Sequence, residues 1–156
     1  MHITKQIASL FRNLYFGGNW TWVNMKDTLQ DINWQQASEK IGSLNSIAVL
    51  VYHTDYYVRA VLNVLQGNSL DAHDKFSFDC PPIQDESDWQ ALVGKALENA
   101  TLFASLVETL HDEKLEQIFF EEKYGNYYRN LHGVIEHTHY HLGQISLIKK
   151  MLLEKS

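Results

Sequence analysis

The chain has 156 residues, of which 45% are hydrophobic and 21% are charged, the composition of a globular protein. Its length predicts one domain, residues 1–156, with enough apolar residues to bury a core. With 13 Lys and Arg residues against 19 Asp and Glu residues, the net charge of −6 argues against nucleic-acid binding, which needs a concentrated basic surface.

Apolar residues recur at helical spacing in four long segments, and no segment shows the alternation of a strand. The first helix should end at Gly17-Gly18 and the second at Gly67, because glycine commonly terminates helices. Ser87 and Gln90 have the spacing of a capping box at the start of the third. The predicted helices span residues 2–16, 45–66, 87–110 and 127–153.

Two connections separate these helices. Residues 19–40 should hold a short turn or helix rather than a fifth long helix. Residues 67–85 form a long, turn-rich connection of the kind that crosses over a bundle or builds the rim of a site. No internal repeat or linker indicates a second domain. We therefore predict an all-α four-helix bundle with a long crossover loop between its second and third helices.

Three histidines have the spacing of a metal site. His137 and His141 lie one helical turn apart, which places their Cβ atoms about 6 Å from each other on one face. His53, in the second helix, borders the apolar stripe of its own helix as the other two do in the fourth. His132 and His139 fall on the opposite flank and should not join them. Three neutral imidazoles with open coordination positions are typical of a catalytic metal site.

The same histidines also fit two other interpretations, packing without a ligand and a di-iron site. A histidine at the border of an apolar stripe often packs without binding anything, and surface helices also carry paired histidines. A di-iron bundle would use Glu108 with His111 and Glu136 with His139, plus carboxylates from the other two helices. We reject it, because the first helix has no Asp or Glu and Glu136 and His139 point away from the core.

Neighbouring polar residues are candidates for orienting the imidazoles. Gln144 lies on the flank of His141, and Tyr57 follows His53 by one turn. A helix-packing amide and a core tyrosine are the alternative interpretations of these two residues. Gly143 is expected to permit close approach of a neighbouring helix. No catalytic residue beyond the metal ligands is evident.

The compartment is predicted from cysteine usage and hydropathy. Cys80 is the one cysteine, which excludes an internal disulfide and fits a reducing cytoplasm; no base near it indicates a nucleophile. The N-terminal segment lacks the uninterrupted apolar core of a signal peptide, and no apolar run reaches the length of about 20 residues that spans a bilayer. We expect a cytoplasmic protein without membrane segments.

Several motifs together resemble a known family. They are GGNWT at residues 17–21, SIAVLVYH ending at His53, LQG at residues 65–67, Trp89, and HTHYHLGQI at residues 137–145. The chain resembles the DinB/YfiT-like superfamily of small metal-binding four-helix proteins over essentially its whole length.

The resemblance implies a fold, a metal and an activity. The family fold is an up-down-down-up bundle, often a homodimer, with Zn²⁺ or Ni²⁺ held by residues that correspond to His53, His137 and His141. Its characterised members are transferases or isomerases that use bacillithiol, mycothiol or glutathione. A metal-dependent thiol transferase is therefore the expected function. A metal-dependent hydrolase and a non-catalytic metal-binding or dimerisation bundle are the alternatives.

Overall fold

The computed structural model describes residues 2–154, and over this range the chain is helical with no β-strand. Short 3₁₀ turns lie at residues 74–76, 112–116 and 122–124. The six α-helices are α1 (Ile3–Phe16), α2 (Met25–Gln30), α3 (Trp34–Ser38), α4 (Ile47–Leu65), α5 (Glu86–Thr109) and α6 (Tyr127–Glu154). The all-α prediction is confirmed, and α1, α4, α5 and α6 begin and end within two residues of the predicted helices.

The predicted short turn or helix between α1 and α4 is in fact two helices. Asn24 caps α2 by accepting a hydrogen bond from the backbone of Asp27, and Asn33 forms a capping box with Gln36 at the start of α3. Side-chain caps satisfy the first amide groups of a helix, so they stabilise helices too short to show apolar periodicity.

Two predictions about helix ends and packing are wrong. The N-cap of α5 is Asp85, whose carboxylate accepts from the backbone of Asp88, so Ser87 and Gln90 form no capping box there. Gly143 is exposed, and a Cβ atom built on it would meet no heavy atom within 4 Å. It therefore does not mediate a close approach of helices.

The core lies between the four longer helices, where α1 packs against α5 and α4 packs against both α5 and α6. The rings of Phe11 and Phe103, with centroids 4.2 Å apart, join α1 to α5. Trp89 is fully buried and donates its indole N–H to the carbonyl of Ile32 at 2.7 Å, which ties α5 to the segment after α2. Within residues 2–154, no helix combines the length and apolar character needed to cross a membrane.

A buried polar contact fixes α4 against α5. Asp55 accepts hydrogen bonds from Asn99 at 2.8 Å and from Arg59 at 3.0 Å. Because Asp55 and Asn99 are both buried, this pair constrains the rotation of α4 about its axis. That rotation turns His53 toward α6.

Candidate metal centre

Three histidines from two helices converge. His53 comes from α4, His137 and His141 come from α6, and one ring nitrogen of each lies within 4.8 Å of the others. The Nε2 atoms of His53 and His137 are 3.0 Å apart. Among residues 2–154, no other group of histidine, cysteine or acidic side chains clusters in this way.

In two of the imidazoles, a neighbouring oxygen decides which ring nitrogen carries the proton. The Nδ1 atom of His53 lies 3.2 Å from the carbonyl oxygen of Ser77, and that of His141 lies 2.7 Å from Oε1 of Gln144. Each partner oxygen only accepts, so each Nδ1 carries the proton and donates it. The Nε2 atoms of these rings are then left with the lone pair that a metal ion requires.

Gln144 is itself held in place. Its Nε2 donates to the hydroxyl of Tyr140 at 3.2 Å, which orients its Oε1 toward His141. This amide therefore lies where the sequence predicted an orienting group.

His137 is oriented differently from its two neighbours. Its Nδ1 is buried and has no hydrogen-bond partner. Its ring is enclosed by those of Tyr57, His53 and His141, with centroid distances of 4.8, 4.8 and 4.5 Å. Packing, and not a hydrogen bond at Nδ1, therefore sets the orientation of this imidazole.

The long connection between α4 and α5 builds one wall of the site. Phe78 stacks on His53 with ring centroids 3.8 Å apart and an interplanar angle of 13°. Tyr57 donates its hydroxyl to Asp74 at 2.8 Å, so its edge faces the histidines while its polar end is bound to the loop. Sequence reasoning expected this connection to form a rim, but no pattern identified Asp74, Ser77 or Phe78 as the residues involved.

Burial keeps the three imidazoles neutral. Desolvation, with repulsion from the charged forms of His141 and His53, lowers the pKa of His137 to about 4. Desolvation also lowers the pKa of His53 and of His141. Neutral rings are the form that binds metal, so protons compete only weakly for the site near neutral pH.

Tyr57 stays protonated for a related reason. Burial and its hydrogen bond to Asp74 raise the pKa of its phenol. The group is therefore a hydrogen-bond donor to Asp74 and not an anionic ligand.

The remaining histidines lie outside the site. His132 is 3.4 Å from the exposed carboxylate of Glu136, and His139 is exposed. His2, His73 and His111 are exposed as well. Glu108, the other carboxylate of the di-iron hypothesis, binds Arg12 at 2.8 Å. No carboxylate in the described range belongs to the three-histidine cluster.

Cys80 also lies apart from this cluster. Its Sγ contacts the carbonyl of Ala48 at 3.8 Å, and burial raises the pKa of its thiol. A raised pKa disfavours the thiolate, in agreement with the expectation that this cysteine is not a nucleophile.

The cluster is positioned to hold a metal ion through three neutral nitrogens. In a tetrahedral zinc site with bonds of about 2.0–2.1 Å, two ligand nitrogens are separated by about 3.3 Å. The 3.0 Å between the Nε2 atoms of His53 and His137 is close to this separation. Three protein ligands leave at least one coordination position for water or substrate.

No protein-family model, curated protein or solved structure matches this chain. The geometry of the histidines and their neighbours therefore carries the functional argument.

Proposed function

We propose that the protein is a metal-dependent transferase that uses a low-molecular-weight thiol, with Zn²⁺ or Ni²⁺ held by His53, His137 and His141. The observation that carries the proposal is the convergence of the three rings, two of which donate their Nδ1–H to a carbonyl oxygen. Structural zinc sites use four protein ligands, whereas three ligands and an open position are typical of catalysis.

The chemistry follows from the open position. A bound divalent ion stabilises the thiolate of a coordinated thiol at neutral pH. His53 and His141 supply lone pairs in fixed directions because Ser77 and Gln144 hold their opposite nitrogens. In the transfer step the sulfur forms a bond to an electrophilic carbon of the second substrate. The electron pair of the broken bond leaves with the displaced group, which takes up the thiol proton.

Phe78 contributes by excluding water. Its ring covers one face of His53, so that face of the imidazole is screened from solvent on the loop side. A dry environment strengthens the electrostatic stabilisation of a thiolate.

The proposal includes the family fold. The longer helices α1, α4, α5 and α6 would be the four helices of a DinB/YfiT-like up-down-down-up bundle, with α2 and α3 inserted between the first two. The motifs around Trp20, His53 and His141 support this assignment. A homodimer in the cytoplasm belongs to the same proposal, and light scattering of the purified protein measures its mass directly.

A thiol-consumption assay tests the proposal. Protein purified without a histidine tag is loaded with Zn²⁺ or Ni²⁺ and mixed with bacillithiol, mycothiol or glutathione and a panel of electrophiles. We expect metal-dependent consumption of one thiol, abolished in His137→Ala and retained in the control His132→Ala. Metal-loaded protein that consumes no electrophile with any of the three thiols contradicts the proposal.

A metal-dependent hydrolase is the second candidate, and the position of Asp74 favours it. A hydrolase needs a carboxylate base near the metal, and the charge of Asp74 reaches His53, where it partly offsets the lowering of the imidazole pKa by burial. Asp74→Asn should abolish ester hydrolysis if the protein is a hydrolase and should leave thiol transfer largely intact if it is a transferase. Metal binding without either activity would indicate a non-catalytic bundle.

A further inference from the structure

A cleft of about 340 Å³ opens beside His137, between α4 and α6. Tyr57 and Gly133 line it near the histidines, and Lys123 and Arg129 lie at its far end. This volume is in the range of small-molecule binding sites. The cleft therefore connects the three-histidine cluster to two cationic side chains.

The charge of this cleft is opposite to that of the whole chain. The net charge of the chain is −6. The charged residues that line the cleft are nevertheless Lys123 and Arg129, and none of the described lining residues is acidic. Lys123 is already bound to Glu121 at 2.7 Å. Arg129 is therefore the cation available to a ligand.

Arg129 differs from the other two arginines of the chain. Arg12 binds a carboxylate at 2.8 Å and Arg59 binds one at 3.0 Å. Within residues 2–154, no carboxylate lies within ion-pair distance of Arg129. Its Nη1 donates to the backbone carbonyl of Tyr124 at 3.2 Å, which leaves the other guanidinium donors for a ligand.

The turn before α6 holds this guanidinium. Gly125 has φ +75°, and a Cβ built there would lie 3.0 Å from Cδ of Arg129 and 3.4 Å from its Nη1. Glycine thus provides both the left-handed backbone and the space that lets the arginine side chain lie against the turn. The contact with Gly125 and the hydrogen bond to Tyr124 orient Arg129 before any ligand binds.

We infer that Arg129 binds the carboxylate of an elongated ligand whose reactive end lies at His137. This inference rests on the proposed function, because the histidine cluster defines the reactive end. Eight residues of α6 separate the two side chains, a rise of about 12 Å. The ligand is therefore an elongated carboxylic acid whose reactive group lies on the order of 10 Å from the carboxylate.

The first experiment tests carboxylate binding to Arg129 with no metal added to the protein. Octanoate and octanol are titrated separately into the full-length protein as purified, and the amide signals of Gly125 and Gly133 are followed by NMR. We expect saturable shifts with octanoate only, lost in Arg129→Gln, partly restored in Arg129→Lys and unchanged in the control Arg12→Gln. Absence of saturable shifts, or their persistence in Arg129→Gln, overturns the inference.

A second measurement separates this inference from the proposed function. Cobalt-loaded protein is titrated with ω-mercaptooctanoate and with ω-mercaptooctanol, and binding is followed by the sulfur-to-cobalt charge-transfer band. A charge-assisted contact to Arg129 should favour the acid by about tenfold or more, and the preference should vanish in Arg129→Gln. Equal affinities for acid and alcohol overturn the carboxylate subsite and leave the proposed function standing. If neither thiol binds cobalt while octanoate still shifts Gly133, the proposed function fails and the subsite stands.

Gly133 provides a steric test of the same cleft. A Cβ on Gly133 would meet no heavy atom within 4 Å, so a leucine there can start from the backbone without a clash and should occupy part of the cleft that Gly133 lines. We expect this variant to lose octanoate binding by about tenfold or more while binding cobalt normally. Gly94→Leu on α5 is the matched control, because Gly94 is also helical with no neighbour within 4 Å. Undiminished octanoate binding in Gly133→Leu contradicts the inference.

Discussion

The Nε2 atoms of His53 and His137 lie 3.0 Å apart, although 84 residues separate the two histidines in the chain. Ser77 fixes the proton of His53 on Nδ1, so Nε2 of His53 directs its lone pair at His137. Without a metal ion, His137 satisfies this lone pair by donating from its own Nε2. For both Nε2 atoms to hold a metal ion, the proton of His137 would have to move to Nδ1, and the two nitrogens would have to separate by only a few tenths of an ångström.

Metal stoichiometry depends on the three histidines individually. His53→Ala, His137→Ala and His141→Ala should each reduce bound metal from about one ion per chain to a small fraction, because two imidazoles hold a divalent ion weakly. His132→Ala and His139→Ala are matched controls on the same helix and should retain it. Elemental analysis of tag-free protein measures the content. Equal loss in the controls would contradict the assignment.

Gln144 should tune metal affinity through His141. Gln144→Leu removes the acceptor for Nδ1–H of His141, and loss of such an orienting partner typically costs about 10- to 100-fold in metal affinity. Gln144→Glu keeps an acceptor and should retain the affinity. Competition with a chromophoric chelator gives the constants. The control Gln90→Leu alters an exposed glutamine of α5 that binds Glu86, and an equal loss there would show that the effect is not local.

Acid should destabilise the metal-free protein before the carboxylates titrate. The pKa of His137 falls from an ordinary 6.5 to about 4 in the fold, and those of His53 and His141 fall as well. Between these pH values the unfolded chain binds more protons than the folded chain, so the free energy of unfolding decreases as pH falls through this window.

His137 alone should contribute about 1–2 kcal/mol to this loss, a figure reduced for solvent screening of a half-buried ring. Urea unfolding between about pH 7 and pH 4 measures it, with chelator present. His137→Ala should flatten the pH dependence, and His132→Ala should leave it unchanged. A His137→Ala protein with the wild-type pH dependence would contradict this origin.

The free energy of unfolding should depend on the indole N–H of Trp89 as well as on the volume of its side chain. Trp89→Phe keeps most of the aromatic ring but leaves the buried carbonyl of Ile32 without its donor, at a cost of about 1–3 kcal/mol. Denaturant unfolding followed by circular dichroism gives the change. Trp20→Phe is the control, because Trp20 is 97% exposed and its loss should change stability by less than about 0.5 kcal/mol.

Much of the helical architecture was predictable because it depends on local patterns. Apolar spacing and the glycines at 17 and 67 locate the ends of α1 and α4 to within two residues. The same spacing assigns His137 and His141 to one face and His132 to another. A short turn or helix was predicted between α1 and α4, but not two separate helices, because α2 and α3 depend on the caps Asn24 and Asn33 rather than on an apolar stripe.

The surroundings of the histidines were not predictable from periodicity. A helical wheel places His53 at the border of the apolar stripe, but the ring is buried because Phe78 covers it. Ser77 reaches Nδ1 of His53 through a backbone carbonyl, which carries no side-chain signature. Arg129 likewise becomes distinctive only when the ion pairs of the folded chain are known. The burial of His53, the hydrogen bond at its Nδ1 and the ion pairing of the arginines all depend on tertiary contacts, which apolar periodicity does not reveal.

The metal should add stability without being required for the fold. Metal binding to the folded state raises the free energy of unfolding in proportion to the logarithm of the ratio of free metal to its dissociation constant. Zinc should therefore raise the melting temperature of the wild type and leave that of His137→Ala unchanged. In chelator the two proteins should differ by only about 1–2 kcal/mol, because the substitution removes the Nε2 contact with His53 but leaves the apolar core, to which His137 does not belong, intact. Calorimetry with and without chelator measures both effects. If metal-free His137→Ala melts far below the metal-free wild type, the imidazole itself stabilises the fold and the prediction is wrong.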